Sequence, residues 1–222
     1  MKSHLKILAI SLACAAFSLT ACGGGGSGSV QPPAITVQIF SDPAYDGDIQ
    51  QTPTSYVVTQ GMSATVQSIF AGIDPLNLTE YRAFLDFPLN GAGGVPANAV
   101  IESAFLDIFV NSFQPTTASL PILIELVSFQ PPSLLATDFD RTVQPPLGYI
   151  RVSPPFVVSD VGTNVSIDVT SLMVIAQQKG LVDFQVRIME DLGPAIPGLL
   201  EIADPTGANR PQQAPELTVT YF

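Results

Sequence analysis

The sequence predicts an all-β protein, an antiparallel β-sandwich with one short helix. Short segments rich in Val, Ile, Phe and Thr recur from residue 34 to the last residue, and Pro, Gly, Asn and Asp separate them. Several segments alternate apolar and polar residues with a period of two, which is typical of strands with one face in a core. The regular spacing of the turn residues favours a sandwich or a barrel.

The predicted strands are 34–40, 55–59, 64–70, 81–87, 103–110, 121–129, 149–152, 156–159, 164–170, 181–188, 199–203 and 216–222. Alternation is clearest in 103–110, where the even-numbered residues are aliphatic and the odd-numbered ones include Phe105 and Phe109. In 181–188 the same pattern predicts that Asp183, Gln185 and Arg187 point away from the core.

One helix is predicted among the strands, over residues 171–180. Its apolar residues recur on one side, and Gly180 is placed to end it. Asp168 or Thr170 can cap its start by accepting hydrogen bonds from free backbone N–H groups.

A secretory signal is predicted over residues 1–21. Lys2 and Lys6 give a positive start, and the apolar core that follows has about 13 residues, too few for a bilayer-spanning helix, which needs about 20. The residues "LTAC" before the glycines resemble the lipobox of bacterial lipoproteins. The resemblance implies cleavage before Cys22 and a diacylglycerol on its sulfur. The alternative is an ordinary signal peptide with a coincidental cysteine.

The remaining chain divides into a flexible Gly/Ser/Pro tether over 22–33 and a single sandwich domain over 34–222. Gly23, which directly follows the predicted lipid attachment site, resembles the default pattern for sorting to the outer membrane. We therefore expect a protein that is anchored by lipid to the outer membrane or cell surface.

Composition excludes several classes of function. Without residues 1–21 the chain carries six basic and nineteen acidic side chains, a net charge of −13. Such a chain repels nucleic acid, so no nucleic-acid partner is expected. The predicted mature chain contains neither His nor Trp, and its only Cys is Cys22. It therefore offers no Ser-His-Asp triad, no thiolate nucleophile and no His or free-Cys metal site.

The order of segments over about 42–222 resembles the DNRLRE-type module, a carbohydrate-binding-like β-sandwich of secreted bacterial and archaeal proteins. The residues that carry the resemblance are Arg82, Pro96, Ile101, Ser103, Ala104, 168–170 and 215–221. It implies a jelly-roll-like sandwich that belongs to a cell-surface or polysaccharide-handling protein.

Aromatic residues near loops or on the outward face of a strand are the candidates for sugar binding. A sugar ring stacks its apolar face on an aromatic side chain, and polar neighbours bind its hydroxyl groups. The candidates are Tyr45, Tyr56, Tyr149, Phe105 and Phe109. The alternative for each of them is a role in packing or in anchoring a loop.

The densest acidic cluster contains Asp42, Asp46 and Asp48. Their carboxylates are candidate ligands of a structural calcium ion, although the spacing does not match an EF-hand loop. The alternative is a solvated turn, because Asp46 and Gly47 together are a turn signal. No other cofactor is expected.

These observations predict a lipid-anchored, non-catalytic surface protein that binds carbohydrate or polysaccharide. One rival is a structural or adhesive protein of the cell envelope that binds other proteins or a matrix. Another rival is a polysaccharide-cleaving enzyme that uses carboxylates, since glycoside hydrolysis requires only two of them.

Overall fold

A computed structural model describes residues 32–129, 133–191 and 197–222. The predicted signal, Cys22 and most of the predicted tether lie outside the described residues. Residues 33–222 form one unit by their mutual contacts. None of the helices in the described part of the chain is long and apolar enough to cross a bilayer.

The described residues contain fourteen strands and two α-helices. The strands are β1 (Ile35–Phe40), β2 (Gly47–Gln51), β3 (Tyr56–Gln60), β4 (Ser68–Ile73), β5 (Glu80–Pro88), β6 (Ile101–Pro115), β7 (Ser119–Leu120), β8 (Ile122–Val127), β9 (Gly148–Arg151), β10 (Phe156–Val157), β11 (Asn164–Asp168), β12 (Asp183–Glu190), β13 (Gly198–Ala203) and β14 (Glu216–Tyr221). The helices are α1 (Thr170–Gln178) and α2 (Arg210–Gln213), with short 3-10 helices at Ala136–Phe139 and Val158–Asp160. The predicted all-β class is confirmed.

The long strand β6 takes part in both layers of the sandwich. Its first part, 101–109, pairs with β14 and β11, and β1 extends this layer on the other side of β14; we call this layer sheet 1. Its last part, 110–115, pairs with β13, which begins sheet 2. Sheet 2 continues through β4, β5, β12, β8 and β9, and the β2–β3 hairpin also pairs with β5. All of these pairings are antiparallel.

The main core lies between the two sheets. From 104 to 110 the even-numbered residues of β6, among them Leu106, point into it as predicted, and so does Val219 of β14. Sheet 2 contributes Leu85, Ile124 and Val186 to the same cluster. These side chains are fully buried, so their removal from water is the main force that holds the two layers together.

The predicted helix is found as α1. Asp168 Oδ1 accepts a hydrogen bond from the N–H of Thr170, the first residue of α1, at 2.9 Å as predicted, although the N-cap position itself is occupied by Val169. Gly180 follows the helix with a φ of 65°, a left-handed conformation that ends helices and favours glycine. The short helix α2 was not predicted.

The prediction that Asp46 and Gly47 form a turn is wrong. The turn lies at 42–45, and Gly47 is the first residue of β2, a strand that the polar sequence "GDIQQ" did not indicate. A Cβ atom at Gly47 would lie 2.2 Å from the carbonyl oxygen of Thr59 on β3. Glycine is therefore needed there for the close approach of two backbones rather than for a turn.

Two residues of β12 that were predicted to face outward are not exposed to solvent. Gln185 and Arg187 are buried, although they do point away from the core between the sheets. The segment 133–147 covers this side of sheet 2, so both faces of β12 lie inside the protein. Period-two alternation indicates which residues share a face, but it does not show what covers that face.

Candidate functional site

The outer side of sheet 2 carries a second, smaller apolar core. Phe84 of β5 and Val127 of β8 pack there with Leu134 and Phe139 of the covering segment 133–147. Phe84 also meets Phe129 edge to face, with ring centroids 5.8 Å apart. The covering segment is therefore held on the sheet by apolar burial.

A buried ion pair lies under the covering segment. Arg187 of β12 donates to Glu125 Oε2 on β8 from Nε at 2.9 Å and from Nη2 at 2.6 Å, and both side chains are fully buried. The Arg187 guanidinium also donates to the backbone carbonyl oxygens of Asp138 (2.6 Å) and Gln144 (3.1 Å). Arg141 Nη2 lies 2.5 Å from the other Glu125 oxygen. These charges fix the covering segment in position over the sheet.

A solvent-open cavity of about 270 Å³ lies at the edge of this covered region. We call it the Tyr56 pocket, and its lining residues are Gln51, Tyr56, Arg82, Phe139, Asp140 and Arg141. They come from the β2–β3 hairpin, from β5 and from the covering segment, three parts of the chain that are far apart in the sequence.

Two aromatic rings and a guanidinium are stacked in the Tyr56 pocket. The rings of Tyr56 and Phe139 have centroids 5.1 Å apart, and Tyr56 is 42% exposed. The Arg82 guanidinium lies 3.9 Å from the centroid of the Phe139 ring, which is a cation–π distance. Arg82 also pairs with Glu80 at 2.7 Å and donates to the backbone carbonyl of Phe139. The aromatic surface of the pocket is therefore held rigidly.

The polar groups of the Tyr56 pocket include both donors and acceptors. Asp140 Oδ1 accepts hydrogen bonds from the backbone N–H and the hydroxyl of Thr142, and these bonds lower the pKa of Asp140 and keep it ionised. Arg141 Nε is buried and has no hydrogen-bond partner in the described residues. Gln51 Nε2 donates to the Tyr56 hydroxyl at 3.4 Å. The pocket thus presents an aromatic side chain together with hydrogen-bond donors and acceptors.

The structure does not bring the five predicted aromatic residues together. Of these, only Tyr56 lines the pocket named after it. Tyr149 is exposed on β9, the outermost strand at the far end of sheet 2, and Tyr45 is half-buried in the turn before β2. Phe105 and Phe109 lie on the outward face of sheet 1, where they are partly exposed. Sequence reasoning missed Phe139, the ring that pairs with Tyr56, because 82 intervening residues separate them in the chain.

The three predicted calcium ligands bind three different backbone amides. Asp42 Oδ1 accepts from Ala44 N at 2.9 Å, Asp46 Oδ1 from Asp86 N at 2.8 Å, and Asp48 Oδ2 from Phe70 N at 3.3 Å. The described part of the chain has no group of three acidic side chains that could hold a metal ion. The three carboxylates therefore do not fit a calcium site as a set.

Burial dominates the electrostatics of two of these carboxyl groups. It raises the pKa of Asp48 to about 7, and the hydrogen bond from Phe70 only partly opposes this. Burial, together with the neighbouring carboxylate of Asp204, also raises the pKa of Asp46 well above its ordinary value. Both carboxyl groups therefore lie in the interior and keep their protons more readily than an ordinary aspartate does.

A larger cavity of about 530 Å³ lies between β9 and the start of α1, and the sequence did not indicate it. Its charged groups are already paired, since Arg151 lies 2.5 Å from Asp191 and Asp168 caps α1. Its lining residues are Ile150, Arg151, Ser153, Ile167, Asp168, Thr170 and Ser171, and none of these is aromatic. The Tyr56 pocket is smaller, but its lining includes two aromatic rings and a guanidinium nitrogen without a hydrogen-bond partner in the described residues.

Comparison with known proteins identifies no family for this chain. No family model matches it, and no curated protein matches it. The resemblance to the DNRLRE-type module therefore stays a prediction.

Proposed function

We propose that this chain is a non-catalytic binding protein of the cell envelope, anchored by a diacylglycerol on Cys22 at the outer membrane or cell surface, and that its Tyr56 pocket binds carbohydrate. The observation that supports the pocket most directly is the exposed Tyr56 ring beside Phe139, with charged and amide groups around it. This is the combination that recognises a sugar ring. The anchor rests on the lipobox-like sequence alone.

The size of the Tyr56 pocket supports a short glycan segment as ligand. Its volume of about 270 Å³ is just below the usual range for small-molecule sites, roughly 300 to 1,000 Å³. A pocket of this size, open to solvent, suits one or two sugar units of a longer chain that continues into solvent.

The Tyr56 pocket supports binding better than cleavage. Hydrolysis of a glycosidic bond by the common mechanism needs two carboxyl groups on opposite sides of that bond, roughly 5 to 9.5 Å apart. Among the described residues a single carboxylate, Asp140, lines the pocket, and its lowered pKa does not suit a proton donor.

A glycan array tests the proposal, using a fragment that begins at Val30 and contains the whole described core. We expect binding to a defined set of glycans and a loss of at least about tenfold in affinity in Tyr56→Ala, since aromatic residues dominate such contacts. Tyr149→Ala is the matched control, because Tyr149 is an exposed tyrosine outside the pocket. Equal binding by both variants would exclude the pocket as the glycan site.

One observation favours the adhesive role as a second candidate. The outward face of sheet 1 exposes Phe40 and Phe105 in part, and the guanidinium of Arg210 in α2 lies 5.7 Å from the centroid of the Phe40 ring. A flat face with exposed rings suits contact with another protein. A protein partner whose binding is lost in Phe105→Ser, together with no binding on the glycan array, would favour this role.

A further inference from the structure

The turn between β4 and β5 exposes two leucines to solvent. Leu76 is 88% exposed and Leu78 is 68% exposed, the two highest values among the large apolar side chains of the described residues. An isolated exposed leucine is ordinary, but two on one short turn form an apolar tip.

Hydrogen bonds make this apolar tip rigid. The carboxylate of Asp74 accepts from the Leu76 N–H and from the Asn77 side-chain amide, each at 2.8 Å. The backbone carbonyl of Asp74 accepts from Leu78 N at 2.8 Å, and Asp74 N donates to the Thr79 carbonyl at 2.9 Å. The turn therefore holds its leucines outward and does not let them fold back on the protein.

Leu78 is also conformationally strained. Its φ of 60° lies in the left-handed region, and it is the one described residue other than glycine with a positive φ. Glycine or asparagine adopts this conformation at low cost, whereas a leucine does not. Since the side chain is exposed, burial within the protein does not compensate the strain. Strain of this kind is often found at sites of function.

The two carboxylates next to the apolar tip are engaged by groups within the protein. The carboxylate of Asp74 is bound within the turn, and Glu80 at the start of β5 is paired with Arg82. The tip is therefore an apolar feature of an otherwise acidic protein.

The apolar tip is too small for a stable protein–protein interface and favours a lipid surface as its partner. A stable protein–protein interface buries roughly 800 Å² on each partner, far more than two side chains provide. A few apolar side chains suffice for reversible insertion into the boundary between lipid headgroups and acyl chains. We propose that the Leu76–Leu78 tip inserts into a lipid surface without net charge.

This contact would be additional to the anchor at Cys22. The first residue of β1, Ile35, pairs with Tyr221, which in turn pairs with Ile101 at the start of β6. Ile73, just before the tip, pairs with Gly198, which pairs with Pro115 at the end of β6. The tip therefore lies at the end of the domain opposite to the start of β1, and the proposal concerns a lipid surface on that side.

Co-sedimentation with vesicles tests the proposal, because the fragment from Val30 lacks the acyl anchor. We expect it to partition into phosphatidylcholine vesicles, and less into vesicles with one third phosphatidylglycerol, because the net charge of the chain is strongly negative. Leu76→Ser and Leu78→Asn should each lower the partition coefficient about tenfold or more, and the double variant should abolish partitioning.

Val100→Ser is the matched control, because Val100 is 65% exposed at the other end of β6 and its loss should leave partitioning unchanged. Leu78→Asn should fold at least as stably as the parent, since asparagine tolerates the left-handed conformation, and thermal unfolding checks this. The proposal is overturned if the parent fragment does not partition into phosphatidylcholine vesicles or if the double variant still partitions. It is also overturned if Val100→Ser lowers partitioning as much as the leucine variants do. Failure here would leave glycan binding at Tyr56 unaffected, because the two sites share no residue.

Discussion

Asp48 should make this protein less stable as the pH rises. Its carboxyl group is buried on β2, which pairs with β5 in sheet 2, and burial raises its pKa from the ordinary 3.8 to about 7. The folded protein therefore keeps a proton that the unfolded chain releases near pH 4. The resulting stabilisation is complete below pH 4 and is lost as the pH rises through 7. The difference of about three pKa units corresponds to at most about 4 kcal/mol.

Urea unfolding of the fragment from Val30 at pH 4, 6 and 8 measures this effect. The free energy of unfolding of the parent should fall over this range, and Asp86, whose pKa burial raises to about 6, adds to the fall. Asp48→Asn keeps a side-chain oxygen for the Phe70 N–H but has no proton to lose. Its stability should therefore fall less than that of the parent between pH 4 and 8, by up to about 4 kcal/mol. Glu102→Gln is the control for removal of an exposed carboxylate. Parallel pH profiles for the parent and Asp48→Asn would refute the reasoning.

Two further predictions concern the covered side of sheet 2 and the close contact of two backbones. Arg187→Met should lower the free energy of unfolding by about 3–5 kcal/mol, because it leaves the buried Glu125 carboxylate without its main partner. The control is Arg151→Met, which removes a largely exposed arginine and should cost less than about 1 kcal/mol. Similar losses of stability in urea titrations of the two variants would contradict the claim that burial makes the Arg187–Glu125 pair important. Gly72→Ala should cost at least about 2 kcal/mol, because its φ is 113° and its Cβ would lie 2.2 Å from a backbone oxygen. Gly91 also has an unfavourable positive φ, but a Cβ atom there would meet no other atom. Gly91→Ala should therefore lower the free energy of unfolding by only about 1 kcal/mol, as measured by thermal unfolding.

Local patterns in the sequence were sufficient to predict the fold class and most strands. The alternation in β6 and β14 identified the residues that enter the main core, and the start and end of α1 followed from Asp168 and Gly180. β2 was missed because its residues have low strand propensity. It is a strand because it lies between β3 and β5, and pairing of this kind depends on the tertiary fold rather than on local propensity.

The candidate site could be predicted only in part, since Tyr56 was identified but its neighbours were not. Phe139 and Arg141 follow β8 in a segment that reads as an ordinary loop, and only its folding over sheet 2 brings them to Tyr56. Alternation along β12 predicts an outward position for Arg187, yet both Arg187 and its partner Glu125 are fully buried. Contacts of this kind join residues that are distant in the sequence, and no local pattern encodes them.

The strand β6 couples the unfolding of the two layers of the sandwich. Two sheets that share no strand can separate while each keeps its own hydrogen bonds. Here β6 belongs to both layers, so neither layer can separate without loss of the strand pairing of β6. The protein should therefore unfold in one concerted step, without a stage at which one layer survives alone. Amide protons in the middle of β6 should consequently be the slowest to exchange with solvent, at a rate set by the opening of the whole domain.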